Sequence, residues 1–273
     1  MPINDEPQVN SNHELSAWLR ELEDRHFADL KFAEVTRALR ALSMSYVERR
    51  LEGKPRGALD SAGKRAAFAL FYAPLHFVAT SHVVRALQAD APPPRHMLDV
   101  GCGTGVAGAA WALACSPPAA VTGIDRHPWA VEESRWTYAQ LRLKGREQRG
   151  EMPEKLRGGP ENAVIAAYVL NELSAPVRRA FEDRLAAATG EGVRVLILEP
   201  ISRQAVPWWD DSARRLESHG FRADLWRFDI ERPPIVAKLD EASGLNHRTI
   251  TLRTLYHPSA PVGAGPHPNH HQS

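Results

Sequence analysis

Asp99-Val-Gly101-Cys102-Gly103-Thr-Gly105 sets an acid ahead of three alternate glycines. Glycine accepts positive φ without steric cost, so such a run makes a tight turn whose backbone can approach a ligand closely. Gly103-Thr-Gly105-Val-Ala-Gly108 also satisfies G-x-G-x-x-G, the pattern of a dinucleotide-binding turn. Asp99 argues for a different nucleotide, because a carboxylate beside a pyrophosphate brings like charges together in a low-dielectric cleft. It suits a cofactor with a cationic amino-acid end. A second acid, Asp125, lies about 20 residues beyond the loop, the spacing at which a carboxylate reaches a ribose diol. Arg126, His127, Pro128 and Trp129 follow it, and an aromatic ring there has the position to lie on adenine.

These residues need a scaffold. Met97 to Val100 reads as a buried strand, and Ala107 to Ala114 as a helix beginning near Gly105. The free N–H groups and positive dipole end of that helix would point into whatever the loop cradles. Ala119 to Asp125 is predicted to be the second strand and Val131 to Leu143 its crossover helix. The third strand is not legible, because Leu141 to Met152 is dominated by charge. Asn162 to Leu170 reads as a strongly apolar fourth strand, with Asn171 and Glu172 at its carboxyl end. In an open parallel sheet ligands bind at that end, where strand order reverses. Asn171 and Glu172 are therefore expected to face cofactor and acceptor, with Glu172 the nearest general base if the acceptor must lose a proton. Pro176 to Thr189 is predicted helical, Gly192 to Pro200 a fifth strand, and Ser212 to His219 a helix. Ala223 to Ile230 and Arg248 to Leu255 are expected to be the last two strands, an antiparallel hairpin-like pair.

Ahead of the glycine loop the period is helical from His13 to about Leu51. Leu15, Trp18, Leu19 and Leu22 form one stripe, and Phe32, Val35, Leu39 and Leu42 a second. Gly53 to Gly57 reads as a linker, and Asp60 or Ser61 as a helix cap. The next helix runs through Ala66 to Tyr72, is broken or kinked by Pro74, and resumes over Leu75 to Leu87. Tyr72 and His76 lie near the kink, where a helical cap would close on an active site. Ala91-Pro-Pro-Pro-Arg95 marks a boundary.

Asp99-x-Gly101-x-Gly103-x-Gly105 resembles the first motif of class I S-adenosylmethionine (SAM) methyltransferases, in which the acid supports binding of the methionine portion. The resemblance implies an α/β, Rossmann-like, doubly wound and mostly parallel seven-stranded sheet over 91–257. An N-terminal helical cap would occupy 1–90 and a disordered tail 258–273. It assigns cofactor contacts to Asp99, Gly101, Cys102, Gly103 and Gly105, and to Asp125 and Arg126. Glu151 takes the slot near the adenine amino group, and Tyr168 completes the set. Within the superfamily, Ala66-Ala-Phe-Ala-Leu-Phe-Tyr-Ala-Pro74, Ala167-Tyr-Val-Leu-Asn-Glu-Leu173 and Leu196-Ile-Leu-Glu-Pro200 are similar to the ribosomal small-subunit methyltransferase-like proteins of mitochondria and bacteria. That similarity implies a link to small-subunit ribosomal RNA or ribosome assembly. The two cysteines, Cys102 and Cys115, cannot supply the iron–sulfur cluster that some members carry. No Asn-Pro-Pro-aromatic motif follows the fourth strand, so the common signature for methylating an exocyclic base amine is missing. Three readings follow: a SAM-dependent methyltransferase of RNA, one acting on a small metabolite, and a non-catalytic assembly factor retaining the SAM fold. An NAD-dependent dehydrogenase is a distant fourth.

Bulk composition bounds these readings without choosing among them. At 273 residues the chain holds one α/β domain and an appendage. A net charge of +1 gives no global polyanion signal. Arg37, Arg40, Arg49, Arg50, Lys54 and Arg56 make the second helical stretch locally basic, either a solvated face or an RNA-contacting one. Two cysteines exclude a disulfide framework and a four-cysteine metal site, and no metal is expected. The start lacks a basic and apolar leader and no apolar run approaches membrane-spanning length, so a cytoplasmic protein away from the membrane is expected.

Overall fold

The computed structural model describes residues 6–52, 59–202 and 206–258. The Gly53–Gly57 linker and nearly all of the 258–273 tail lie outside them. Seven strands form one sheet in the order β3-β2-β1-β4-β5-β7-β6. They are β1 (His96–Val100), β2 (Ala120–Asp125), β3 (Gly145–Arg149), β4 (Asn162–Ala167), β5 (Arg194–Pro200), β6 (Arg222–Asp229) and β7 (Thr249–His257). The first five are parallel, and β7 runs antiparallel between β5 and β6. From β1 the chain moves outward through β2 and β3, then returns to lay β4 on the other side of β1. The reversal therefore falls between β1 and β4, and it fixes where a ligand site must be.

Strand sequences explain the layering. In β4, Ala163 and Ile165 face one core while Val164 and Ala166 face the other, the period-2 alternation of a sheet covered on both sides. One cover comprises α5 (Val106–Ala114), α6 (Pro128–Gln140) and the N-terminal helices; the other is α7 (Ala175–Gly190) and α8 (Trp209–Glu217). β3 reads Gly-Arg-Glu-Gln-Arg, and its polar side chains are tolerated because it is an edge strand half open to solvent. The last two strands are antiparallel as expected but are not a simple hairpin. A helix not foreseen, α9 (Pro234–Ser243), sits between them and packs on the N-terminal helices.

In the cap, α1 (Glu6–Phe27) and α2 (Phe32–Glu52) bury the expected stripes, with Phe32 the exposed exception. Next come α3 (Ala62–Ala67), a π-helical turn Phe68–Tyr72 and α4 (Ala73–Ala86), one continuous helix. Ser61 caps it, its side chain accepting from the Lys64 N–H. Of the break or kink expected at Pro74, the break does not occur. The widened turn absorbs the proline: the Ala73 N–H reaches back five residues to the Phe68 carbonyl, so the ring's missing donor is accommodated inside a bulge. With a window hydropathy of 1.4, Ala62–Ala86 is long and apolar enough to cross a bilayer, contrary to the sequence expectation. Two-thirds of that window is buried in the protein core, which is what its apolar faces serve.

Candidate active site

β1 ends in a loop whose three glycines, Gly101, Gly103 and Gly105, all have positive φ, at +66°, +53° and +77°. At Gly103 a side chain would meet only the Phe68 ring at 3.8 Å, so the loop there borders open space walled by the cap. Gly108, in the first turn of α5, serves a different end. A Cβ there would stand 2.7 Å from Asp99 Oδ2, and its absence lets that oxygen accept the Gly108 N–H at 2.8 Å. Asp99 is almost wholly buried and its other oxygen, Oδ1, has no partner. Burial drives its pKa up to about 7, against the pull of the Gly108 N–H; the nearby Asp125 charge adds to the rise. The hydroxyl of Thr104 is also buried without a partner.

Asp125 ends β2 as expected. One of its oxygens accepts the Gly103 N–H at 2.9 Å and the other the His127 N–H at 2.8 Å. The carboxylate thus braces the glycine loop while lying at its mouth. Arg126 is exposed, with its guanidinium 3.7 Å from Glu172. His127 caps α6, and burial holds its pKa below the usual value, with Arg65, Arg126 and Arg149 pushing the same way and Asp125 opposing. Glu151 is exposed, just beyond the end of β3. The Cys102 side chain points away from the loop mouth, packing toward Gly123 and the Tyr138 phenol. Burial pushes that thiol well above its ordinary range, so only the Cys102 backbone faces the loop.

The strand expected to reach Leu170 stops at Ala167. Tyr168 then takes φ +58°, a strained value for a residue with a side chain. Its ring lies flat on His76, with centroids 4.0 Å apart and planes 19° from parallel. Leu170–Glu172 forms a 3-10 turn held by Glu199, a fully buried acid at the end of β5. Glu199 Oε1 accepts the Leu170 N–H at 2.8 Å and the Asn171 N–H at 3.3 Å; Oε2 accepts the Asn171 amide at 2.6 Å. The Asn171 side chain therefore braces the turn, a different placement from the acceptor-facing one expected. Burial raises Glu199 to about 8 in spite of those donors. Glu199 went unnoticed as a site residue, although an acid closing a parallel strand is the signal that marked Asp99 and Asp125. Phe68 was missed too; nothing in an apolar helical run announces a π-turn.

Phe68, Tyr72, His76 and Trp129 form an aromatic group over the loop. Phe68 lies 6.0 Å from Tyr72, 6.2 Å from His76 and 6.5 Å from Trp129 between ring centroids.

Residues 77–167, a third of the chain, match the methyltransferase small domain family. Among curated proteins none matches. Solved structures with a similar backbone include precorrin-6y C5,15-methyltransferase of Geobacter metallireducens GS-15, at 12% identity and TM-score 0.43, covering 66% of this chain and 85% of that one. Magnesium protoporphyrin IX methyltransferase of Synechocystis PCC 6803, with bound SAM, gives 16% and 0.44, covering 87% and 96%. The mitomycin 7-O-methyltransferase MmcR gives 15% and 0.49, covering 91% and 75%. The match gives residues 77–167 a methyltransferase small domain, and the sheet order is that of the Rossmann-like class I methyltransferase fold. The acid–glycine loop implies SAM as the cofactor. The residues present suit it: an open-sided glycine loop, a buried carboxyl oxygen and a buried hydroxyl without partners, and a carboxylate at the loop mouth.

Proposed function

We propose that the methyl acceptor is RNA, and, following the resemblance to ribosomal small-subunit methyltransferase-like proteins, small-subunit ribosomal RNA. The observation that carries this reading is the rim of the site. Arg65, Arg126 and Arg149 all act on His127, beside the aromatic group of the cap. Arg126 and Arg149 are exposed, and Arg65 is half-buried with its Nε donating to the Leu59 carbonyl. Clustered cations next to stackable rings suit a phosphate chain that delivers an unstacked base.

On this reading Asp99, Gly101, Gly103 and Gly105 hold the amino-acid end of SAM, Asp125 its ribose, and Trp129 and Glu151 the adenine side. The cofactor supplies an electrophilic methyl group on a sulfonium whose positive charge disperses during transfer. The chain's own contribution is alignment and exclusion of water. Asp99 sets a negative charge beneath the cationic end when ionised. The Asp125 carboxylate keeps the loop in its bound shape. Phe68 and Tyr72 roof the pocket. Glu172, half-exposed and across from Arg126, belongs to the rim, where it orients that arginine. The test is transfer of labelled methyl from SAM into a small-subunit ribosomal RNA transcript by the full chain. Label in the transcript, with an affinity that weakens as salt rises, supports the reading. Turnover on a small acceptor with no RNA binding replaces it with the metabolite reading. Binding of RNA and SAM without transfer leaves an assembly factor.

A further inference from the structure

His76 stands between the two places that must meet during methyl transfer. On one side its ring lies against Tyr168, the first residue after β4, at the strand-order reversal. On the other it meets the edge of Phe68, the side chain that faces the bare position at Gly103. Phe68, Tyr72 and His76 stand four residues apart in turn, so they share one face of the helix, with Phe68 at its loop end. Tyr168 is held from beneath: Glu199 locks the following turn, which keeps the phenol ring in its strained backbone setting.

Among the described residues neither imidazole nitrogen of His76 has a hydrogen-bond partner, although the ring is half-buried. Its nitrogens keep contact with solvent, so they stand open to an incoming donor between the loop and the exit of β4. We propose that His76 is the acceptor-binding residue of this methyltransferase, taking the hydrogen of the N–H or O–H group that becomes methylated. This rests on the reading of the site as one that admits a nucleobase.

Burial holds the imidazole at a pKa of about 3, so it is neutral at working pH and one nitrogen is a free acceptor. The Tyr168 phenol is raised by burial, then by Glu199, and keeps its proton. The step balances. The acceptor's lone pair forms the new bond to the methyl carbon as the carbon–sulfur bond breaks, and that bond's electron pair leaves on sulfur. The acceptor's proton, made acidic by its new positive charge, passes to the His76 nitrogen. From there it goes to water, because this pocket does not hold an imidazolium.

The test uses the full chain with ring-labelled histidine, observed by NMR with S-adenosylhomocysteine present. Probes are the small-subunit ribosomal RNA transcript and, separately, adenosine, cytidine, guanosine and uridine. The His76 resonance, assigned by its loss in His76→Ala, is expected to shift with the transcript or with one nucleoside, and not with S-adenosylhomocysteine alone. His76→Ala is expected to bind SAM as the wild type does by calorimetry and to lose about 100-fold or more in kcat on any acceptor the wild type methylates. His76→Gln, which keeps an acceptor atom, is expected to recover part of that loss, and melting curves of both variants report folding. A resonance moved by no probe, or a His76→Ala enzyme with wild-type kcat, overturns the proposal. A wild type that ignores the transcript but whose His76 signal moves with a nucleoside overturns RNA as the acceptor and leaves His76 in its role.

Discussion

The Asn171 amide donates to Glu199 Oε2 at 2.6 Å, tying the turn after β4 to the end of β5. With the two backbone donors on Oε1, a single buried carboxyl organises the whole β4 exit. Glu199→Ala removes an acceptor from three donors, two of them backbone groups with no nearby substitute. It is expected to lower stability by about 2–5 kcal/mol, read from urea unfolding. Glu199→Gln keeps one oxygen for the backbone donors and should cost about 1 kcal/mol. Equal losses from the two variants would mean that the carboxyl itself, not the hydrogen-bond bracket, holds the turn.

Two buried carboxyls make stability depend on pH in an unusual direction. Burial raises Asp99 from 3.8 to about 7 and Glu199 from 4.5 to about 8. A raised pKa means that folding favours the protonated form. The contribution is whole below the unfolded values near 4 and is lost as pH rises through 7 and 8. Below pH 6.5 the lowered pKa of His76 adds stability as pH rises and opposes the carboxyls. Without ligand, the melting temperature is therefore expected to fall between about pH 6.5 and 8, with a slope of up to about 1.4 kcal/mol per pH unit for each carboxyl. Glu199→Gln should flatten the upper part of that fall. A wild-type profile flat across this window contradicts the assignment.

The same Asp99 makes cofactor affinity rise with pH. A cationic amino-acid end favours the ionised carboxylate, so below about pH 7 binding must expel a proton. Affinity for SAM is expected to climb by up to about tenfold per pH unit below that point and then level. Asp99→Asn keeps an oxygen for the Gly108 N–H, so the loop should fold, yet the charge is gone. Its affinity is expected to be about 10- to 100-fold weaker and independent of pH, measured by calorimetry. Affinity equal to wild type at pH 8 would remove Asp99 from cofactor binding.

Two glycines of the loop region separate shape from access. A methyl group at Gly108 would meet Asp99 Oδ2 at 2.7 Å, so Gly108→Ala must displace the buried carboxyl and is expected to cost about 1–3 kcal/mol of stability. At Gly103 there is room, and the penalty is the left-handed backbone at φ +53°, about 1–2 kcal/mol. Its larger expected effect is on SAM affinity, because the added methyl projects from the loop toward the cap. Thermal melts and calorimetry on the pair should show the two losses falling on different observables.

What the sequence disclosed follows from which signals are local. Asp99, the glycines and Asp125 sit at strand ends, where residue type and spacing are dictated by backbone geometry, and the structure places them around one loop. β4 and β5 were legible because both faces are buried and their runs are continuously apolar. β3 was not, because an edge strand needs no apolar pattern. α9 hid behind prolines at its start, Pro233 and Pro234, which read as loop. The Tyr168–His76 stack joins residues 92 positions apart, one after β4 and one in α4, and no spacing rule connects them.

The arginines at the rim give the last expectation. If the phosphate chain of RNA lies along Arg65, Arg126 and Arg149, each neutralised phosphate releases a counterion. Replacing Arg65 and Arg149 together by alanine should then reduce the slope of log affinity against log salt by about 1.4 for a single-stranded target. SAM affinity should stay as in the wild type, since neither residue is assigned to the cofactor. Arg126→Ala is expected to act on both, because it also removes the Glu172 ion-pair partner at the mouth of the site. Filter binding of the small-subunit transcript across a salt series reads the slope. A slope unchanged in the double variant would move the RNA to another face, for which the basic side of α2 around Arg37 and Arg40 is the next surface to test.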